Sequence, residues 1–198
     1  MKVDNMYVIP NFLDDEEFVD IEKFICGKKT EWTYNPIKSR PETGVVSDDR
    51  TYHNQQMVKV YYNPPVVYDM NWLSHFSAIN WRFSPLSLLR VKVNMQFPCV
   101  EIIQSPFHCD LPKNDIPNDV KVYTAILYLN TNNGYTIFED TGEKVQSIKN
   151  QLLLFNAKRA HAGTSFTNAK NRIVINMNFV PSAKTEEYLQ NNSHFFIN

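Results

Sequence analysis

A few side chains in this sequence have the types and spacing to hold a metal ion. His108, Cys109 and Asp110 form a His-x-Asp triplet. With 5 His and 11 Asp in 198 residues, about 0.3 such triplets arise from composition alone, so the triplet gains meaning only from its company. On a strand or strand end, residues i and i+2 point to the same side. His108 and Asp110 can therefore share one ligand centre while Cys109 points away. His161, expected in a loop just after the apolar run QLLLF, is the candidate third ligand. Two imidazoles and one carboxylate occupying one face of an octahedron leave the other positions open.

Arg172 lies 11 residues after His161 and opens the run RIVINMNFV. At period two, Arg172, Val174, Asn176 and Asn178 share one face, and Ile173, Ile175, Met177 and Phe179 share the other. An arginine on the polar face, at the mouth of an apolar sheet, can grip a carboxylate in bidentate fashion. On the run VYTAILYLN, Thr124, Ile126 and Tyr128 also share a face, so the Tyr128 hydroxyl can reach the same carboxylate.

The elements that must position these groups follow from periodicity and turn signals. Near the N-terminus, Asp14 or Asp15 can cap a helix whose first turn is acidic. Phe18, Ile21, Phe24 and Ile25 recur at helical spacing, and Gly27 stops it. Residues 31–54 are polar and turn-rich and read as loop. QMVKVYY (residues 56–62) alternates as a strand, Pro64 and Pro65 break it, and residues 66–79 read as a second helix. From Leu88 the character changes. LLRVKVNMQF, VEII, VKVYTAILYLN, YTIFED, KVQSI, QLLLF and NRIVINMNFV are short β-branched and aromatic runs separated by turn signals. They predict an antiparallel sandwich or barrel. SAKTEEYLQNN reads as a short closing helix. With no linker in sight, one domain spans 1–198. Residues 1–87 give helical and loop support, 88–180 a β core, and 181–198 a tail, with helices packed on one face of the core.

Composition bounds the partners. Lys plus Arg is 20 and Asp plus Glu is 21, which lacks the basic excess of a chain held by a phosphate backbone. No apolar run reaches the roughly 18 residues of a membrane span, and the start MKVDNMYVIPNFLDDEEF has no signal-peptide core. Three widely spaced cysteines, Cys26, Cys99 and Cys109, read as free thiols in a reducing compartment, so the expected location is cytoplasmic.

Taken with these runs, the sequence resembles the iron(II)- and 2-oxoglutarate-dependent dioxygenases, closest to the prolyl 4-hydroxylase-like branch. The resemblance covers about half the chain, roughly residues 88–180. It rests on His108-x-Asp110, TAILYLN, Gly134-Tyr135-Thr136-Ile137-Phe138, LLLFNAKRAHAGT with His161, and Arg172. It implies an α+β, mainly β fold, a double-stranded β-helix of the jelly-roll or cupin kind. It implies that His108, Asp110 and His161 ligate Fe(II), and that Arg172 pairs with the distal carboxylate of 2-oxoglutarate with Tyr128 as hydrogen-bond partner. Asn176 stands where the family often has a hydroxyl residue near that carboxylate, and Asn94 where a residue often contacts the keto-acid end. Gln96 replaces a frequent aromatic, and Asn133 replaces a usual glycine. The implied reaction consumes O2 and 2-oxoglutarate, releases succinate and CO2, and hydroxylates a substrate; ascorbate is a possible further requirement. Related halogenases lack the carboxylate ligand, so Asp110 favours hydroxylation.

Other readings stay open. His and carboxylate ligands also bind zinc, so a zinc hydrolase accounts for the triad, but it gives Arg172 no task. A non-catalytic cupin-like metal-binding module is the second function class. Within the oxygenases, a peptide or protein side chain, prolyl before others, competes with a small molecule and with nucleic acid. The loop LPKNDIPND after Asp110 and residues 31–54 are the segments expected over the pocket mouth. Neither has the clustered cations and aromatics that single-stranded nucleic acid needs.

Overall fold

The computed structural model describes residues 6–36, 55–67, 70–111 and 116–192. Expectations for residues 37–54 and 112–115, which include His53 and four residues of the loop after Asp110, lie outside the described residues, as does His194.

The first long element forms where capping and spacing demand it. In α1 (Asp15–Cys26), Asp14 Oδ1 accepts from the Glu17 amide at 2.9 Å, and the Glu17 carboxylate accepts from the Asp14 amide at 3.0 Å. This reciprocal capping satisfies two amides that the helix leaves open. Phe18, Ile21 and Ile25 are buried on one stripe.

Strands β1 (Tyr7–Ile9), β2 (Thr33–Asn35), β3 (Gln56–Asn63), β5 (Ser87–Gln96), β6 (Tyr123–Tyr128), β9 (Gln151–Asn156) and β11 (Arg172–Val180) form a large sheet in the order β1-β9-β6-β11-β5-β3-β2. Every pairing in it is antiparallel, and short β4 (Val66–Val67) adds to β3. A second, smaller sheet runs β10-β7-β8, with β7 at Tyr135–Phe138, β8 at Lys144–Gln146 and β10 at His161–Gly163. The segment carrying His108 adds to its β10 edge through single bridges, Gln104 to Thr164 and His108 to His161.

The two faces of the large sheet differ, as the period-two reading of β11 requires. Ile173, Ile175, Met177 and Phe179 join Val91, Val93, Ala125, Leu127, Leu152 and Leu154 in the main core. Onto that face pack α1, α2 (Trp72–His75), α3 (Ser77–Phe83) and α4 (Ala183–Asn192), through Ile21, Phe76, Phe83 and Leu189 among others. The opposite face looks toward the small sheet. There Ile126, Tyr128, Leu153, Phe155 and Val174 meet Phe138 and Val145. Truncating one such side chain to Ala typically costs about 2–5 kcal/mol.

Several elements depart from the sequence reading. Residues 66–79 do not form one helix: β4 comes first, and the helical part starts at Trp72 and breaks at Phe76 before α3. VEII is not a strand; only Gln104, just beyond it, makes a bridge. Thr33–Asn35 is a strand inside the expected loop, and β1 was not foreseen. His161 lies in strand β10 rather than in a loop. No described helix is long and apolar enough to cross a membrane. None of the three cysteines forms a disulfide. Cys109 is half-buried, and its thiol donates to the Lys158 carbonyl at 3.4 Å.

Candidate metal and keto-acid site

His108 and His161 are locked together before any ligand is considered. Their backbones exchange two hydrogen bonds, each 3.0 Å, and their rings lie 4.8 Å apart. Nδ1 of His108 donates to the Pro106 carbonyl at 3.3 Å, and Nδ1 of His161 donates to the Arg159 carbonyl at 3.2 Å. That fixes the tautomer and leaves each Nε2 lone pair free for a metal. Phe155 packs 4.8 Å from the His161 ring and Phe138 lies behind it at 6.4 Å. Arg159 anchors the loop in turn: it bonds Asp140 at 2.8 and 2.9 Å and lies 4.3 Å over the Phe138 ring.

Asp110 completes the cluster. Its Oδ2 is 3.7 Å from His161 Nε2, and ligand atoms of His108, Asp110 and His161 all lie within 4.8 Å of one another. Among the described residues this is the one group of three or more His, Cys, Asp or Glu side chains so arranged. Both carboxylate oxygens are engaged. Arg90 Nη2 donates to Oδ1 at 2.9 Å, and Asn176 Nδ2 donates to Oδ2 at 2.8 Å. Burial pushes the Asp110 carboxyl toward its neutral form, but the Arg90 guanidinium, with His161 and Lys92, overrides this and holds it far below the usual range. Asp110 is thus an anion at any working pH. His161 is held neutral mainly by burial, which pushes its imidazole down despite the neighbouring carboxylate. A neutral His161 beside an ionised Asp110 is the state in which such groups bind a metal.

Arg172 stands at the opposite end of the same cavity. Opposite it in register is Gln96 of β5, and β11 then runs through Val174 and Asn176 toward Asp110. Its Nε donates to Ser147 Oγ at 2.8 Å and Nη1 to Gln96 Oε1 at 3.3 Å, and its guanidinium lies 5.7 Å from the Tyr128 ring. The residue is only 5% exposed, yet no acid among the described residues pairs with it. Burial draws its guanidinium down from the ordinary value. A buried guanidinium held by neutral groups alone is costly unless an anion arrives. Asn94, between the two ends on β5, lines the cavity with its Oδ1 buried and without a hydrogen-bond partner.

These placements sort the expected site residues. His108, Asp110 and His161 come together, and Arg172 and Asn94 line the same cavity. Asn176 also lines it, and its amide donates to Asp110. The Tyr128 hydroxyl is fully buried beneath and shares a 2.8 Å hydrogen bond with Thr136, which lines the cavity in its place. Arg90, Lys92, Gln56 and Ser147 were not foreseen. The alternation of LLRVKVNMQF put Arg90 and Lys92 on the face of Asn94, so that signal was present. Gly134 is needed where it stands, because a Cβ there would sit 2.9 Å from Asn132 Oδ1 and 3.0 Å from the Ser165 carbonyl.

The comparisons with known proteins agree with this geometry. No family model matches the chain, and no curated protein matches it in sequence. Solved structures do match. A 2OG-Fe(II) oxygenase family oxidoreductase from Burkholderia pseudomallei aligns with TM-score 0.59 at 10% identity, over 88% of this chain and 85% of that one. A prolyl-4-hydroxylase from Pseudomonas putida aligns with TM-score 0.54 at 12% identity, over 91% and 95%. The chain has the fold of the 2-oxoglutarate/Fe(II) oxygenases. A further match is the Trichoplax adhaerens prolyl hydroxylase solved with a hypoxia inducible factor peptide, with TM-score 0.55 at 15% identity over 93% and 87%. The mainly β, double-stranded β-helix architecture is therefore established, and the prolyl-hydroxylase-like members of this fold are among its neighbours.

Proposed function

We propose that the protein is an Fe(II)- and 2-oxoglutarate-dependent dioxygenase that hydroxylates an organic substrate, a peptidyl side chain with proline first among candidates. One observation carries the reading. A two-His, one-carboxylate cluster and a buried guanidinium without an acid face each other along one cavity. The donor set suits non-haem iron, with open positions left for other ligands. The arginine suits one end of a dicarboxylate. A zinc hydrolase uses the first feature and leaves the second without a purpose.

In this reading His108, Asp110 and His161 hold the metal. Arg172 holds the distal carboxylate of 2-oxoglutarate, oriented by Ser147 and Gln96 and backed by Tyr128 through Thr136. Asn94, which lines the cavity between its two ends, offers its amide N–H as a donor at the keto-acid end. Arg90 and Asn176 hold Asp110 ionised and fixed in direction. The apolar wall of Ile126 and Val174 limits water beside these groups. Iron with 2-oxoglutarate and O2 supplies the oxidising equivalent, releasing succinate and CO2, and ascorbate serves to keep the iron reduced. The peptide preference is supported by the fold shared with the two prolyl hydroxylases. Cysteines that form no disulfide fit a reducing, cytoplasmic setting.

The test is succinate formation by purified protein given Fe(II), 2-oxoglutarate and air. The expected result is succinate above a protein-free control, lost in His161→Ala and stimulated by a proline-containing peptide. Absence of both succinate and 2-oxoglutarate binding would remove the proposal.

A further inference from the structure

The charges around the cavity do not balance. Among the described residues, three cations, Arg90, Lys92 and Arg172, stand against one carboxylate, Asp110. A divalent metal adds two positive charges and 2-oxoglutarate removes two, so the excess survives loading. Two of the three cations have a task. Arg90 is bonded to Asp110, and Arg172 faces the opposite end, where the distal carboxylate of 2-oxoglutarate would lie. Lys92 is engaged least. Its Nζ forms only a long ion pair, 4.0 Å from the Asp110 Oδ1 that Arg90 already holds at 2.9 Å, and it makes no hydrogen bond among the described residues. Its side chain is only 19% exposed. An ammonium is a compact, strongly hydrated charge, and holding one away from water with no hydrogen bond of its own is costly.

Position adds a direction. In register, Lys92 sits between Asn176 of β11 and Val60 of β3. Val60 and its neighbour Val58, opposite Asn94, continue the cavity face outward along the sheet. Both valines also line a second, outward-opening cleft with Thr33 and Asn35 of β2. The face thus runs from an open cleft, over an apolar floor, to a cation that shares Asp110 with Arg90 and has no hydrogen bond of its own among the described residues.

We propose that the substrate carries a carboxylate and that Lys92 receives it, with the organic body of the substrate lying over Val58 and Val60. This deepens, and rests on, the oxygenase reading of the site. The same carboxylate chemistry has two sources, a chain terminus or free amino acid on one hand and an acidic side chain within a peptide on the other.

The experiment uses two matched probe pairs, N-acetyl-L-proline with its amide and N-acetyl-L-glutamic acid α-amide with the corresponding glutamine compound. Binding is measured by calorimetry to full-length protein loaded with Mn(II) and saturating 2-oxoglutarate. At least one acid is expected to bind about 10-fold or more tighter than its neutral partner, the scale of a close charge pair at an interface. The pair that discriminates identifies the source. In Lys92→Gln the preference should fall to near unity while 2-oxoglutarate affinity is retained. Acid and amide binding alike, neither binding, or a preference that persists in Lys92→Gln overturns the proposal. A parallel loss of 2-oxoglutarate affinity overturns it too, because Lys92 would then serve the co-substrate. If the wild-type protein takes up no 2-oxoglutarate, the oxygenase reading fails separately, and the probe comparison on the Mn(II)-loaded protein alone still decides for or against Lys92.

Discussion

The two ends of the cavity are built on the same strands but solve opposite electrostatic problems. At one end Asp110 is surrounded by donors, with Arg90, Asn176 and the nearby Lys92 converging on a single carboxylate. At the other end Arg172 is surrounded by neutral acceptors, Ser147 and Gln96, with no acid among the described residues. The first end keeps an anion charged and aimed so that two imidazoles and one carboxylate can take a cation. The second keeps a cation buried so that an anion can dock. The difference teaches that the protein's own partners set the state of each charge, while the final compensation is left to what binds.

The comparison breaks most completely at the ligand end. His108→Ala, Asp110→Ala and His161→Ala should each abolish turnover and strongly weaken Fe(II) binding, as read by metal titration and succinate assay. A variant with full iron stoichiometry and activity removes that residue from the cluster. Next in size is Arg172→Ala. Losing a buried, charge-assisted pair costs about 2–5 kcal/mol, or roughly 30- to 4000-fold in 2-oxoglutarate affinity, with iron affinity nearly unchanged. Equal losses in both would merge the two ends into one.

Smaller changes sharpen the contrast. Asn176→Ala removes one donor to Asp110 and should weaken metal binding by about 10- to 100-fold, leaving 2-oxoglutarate affinity of the loaded protein close to normal. Lys92→Met should stabilise the metal-free protein at neutral pH, on the order of 1–3 kcal/mol in chemical denaturation. Burial, and then Arg90, push the Lys92 ammonium down to about 8 from its ordinary 10.5. The unfolded chain therefore binds this proton more readily than the folded one. The cost of Lys92 is full below about pH 8 and fades as pH rises toward 10.5. The stability gap between Lys92→Met and wild type should narrow over that window, and a gap that widens would reverse the assignment. The smallest effect is expected for Tyr128→Phe, about 0.5–1.5 kcal/mol in 2-oxoglutarate binding for one neutral hydrogen bond, because its hydroxyl acts through Thr136.

Much of this was legible in the sequence where side-chain alternation is strict. Arg172 through Phe179 separate into a cavity face and a core face because β11 lies in mid-sheet between β5 and β6, with both surfaces covered. The His-x-Asp geometry was readable for the same reason, although the triplet sits at a single bridge and not in a full strand. What could not be read depends on register. Nothing local in the sequence says that Lys92 lies opposite Asn176, or that Ser147 of a surface-looking KVQSI run reaches Arg172. That Asn176 donates to Asp110 could not be read either, because the strand shows only which face a residue takes, not how far along the cavity its partner lies. Short β1 and β2 were missed because three residues carry too little pattern, and their pairing with β9 and β3 comes from tertiary contact.

The most direct test of the account is an anaerobic titration of 2-oxoglutarate into the Fe(II)-loaded protein, followed by the visible charge-transfer absorption that a keto acid gives when it chelates ferrous iron. The account predicts a saturable band in the wild-type protein, none in Asp110→Ala, and in Arg172→Ala a band that saturates only at concentrations roughly 30-fold or more higher. A protein that binds Fe(II) at this cluster yet shows no such band at any 2-oxoglutarate concentration, or one whose band is indifferent to Arg172, would contradict it.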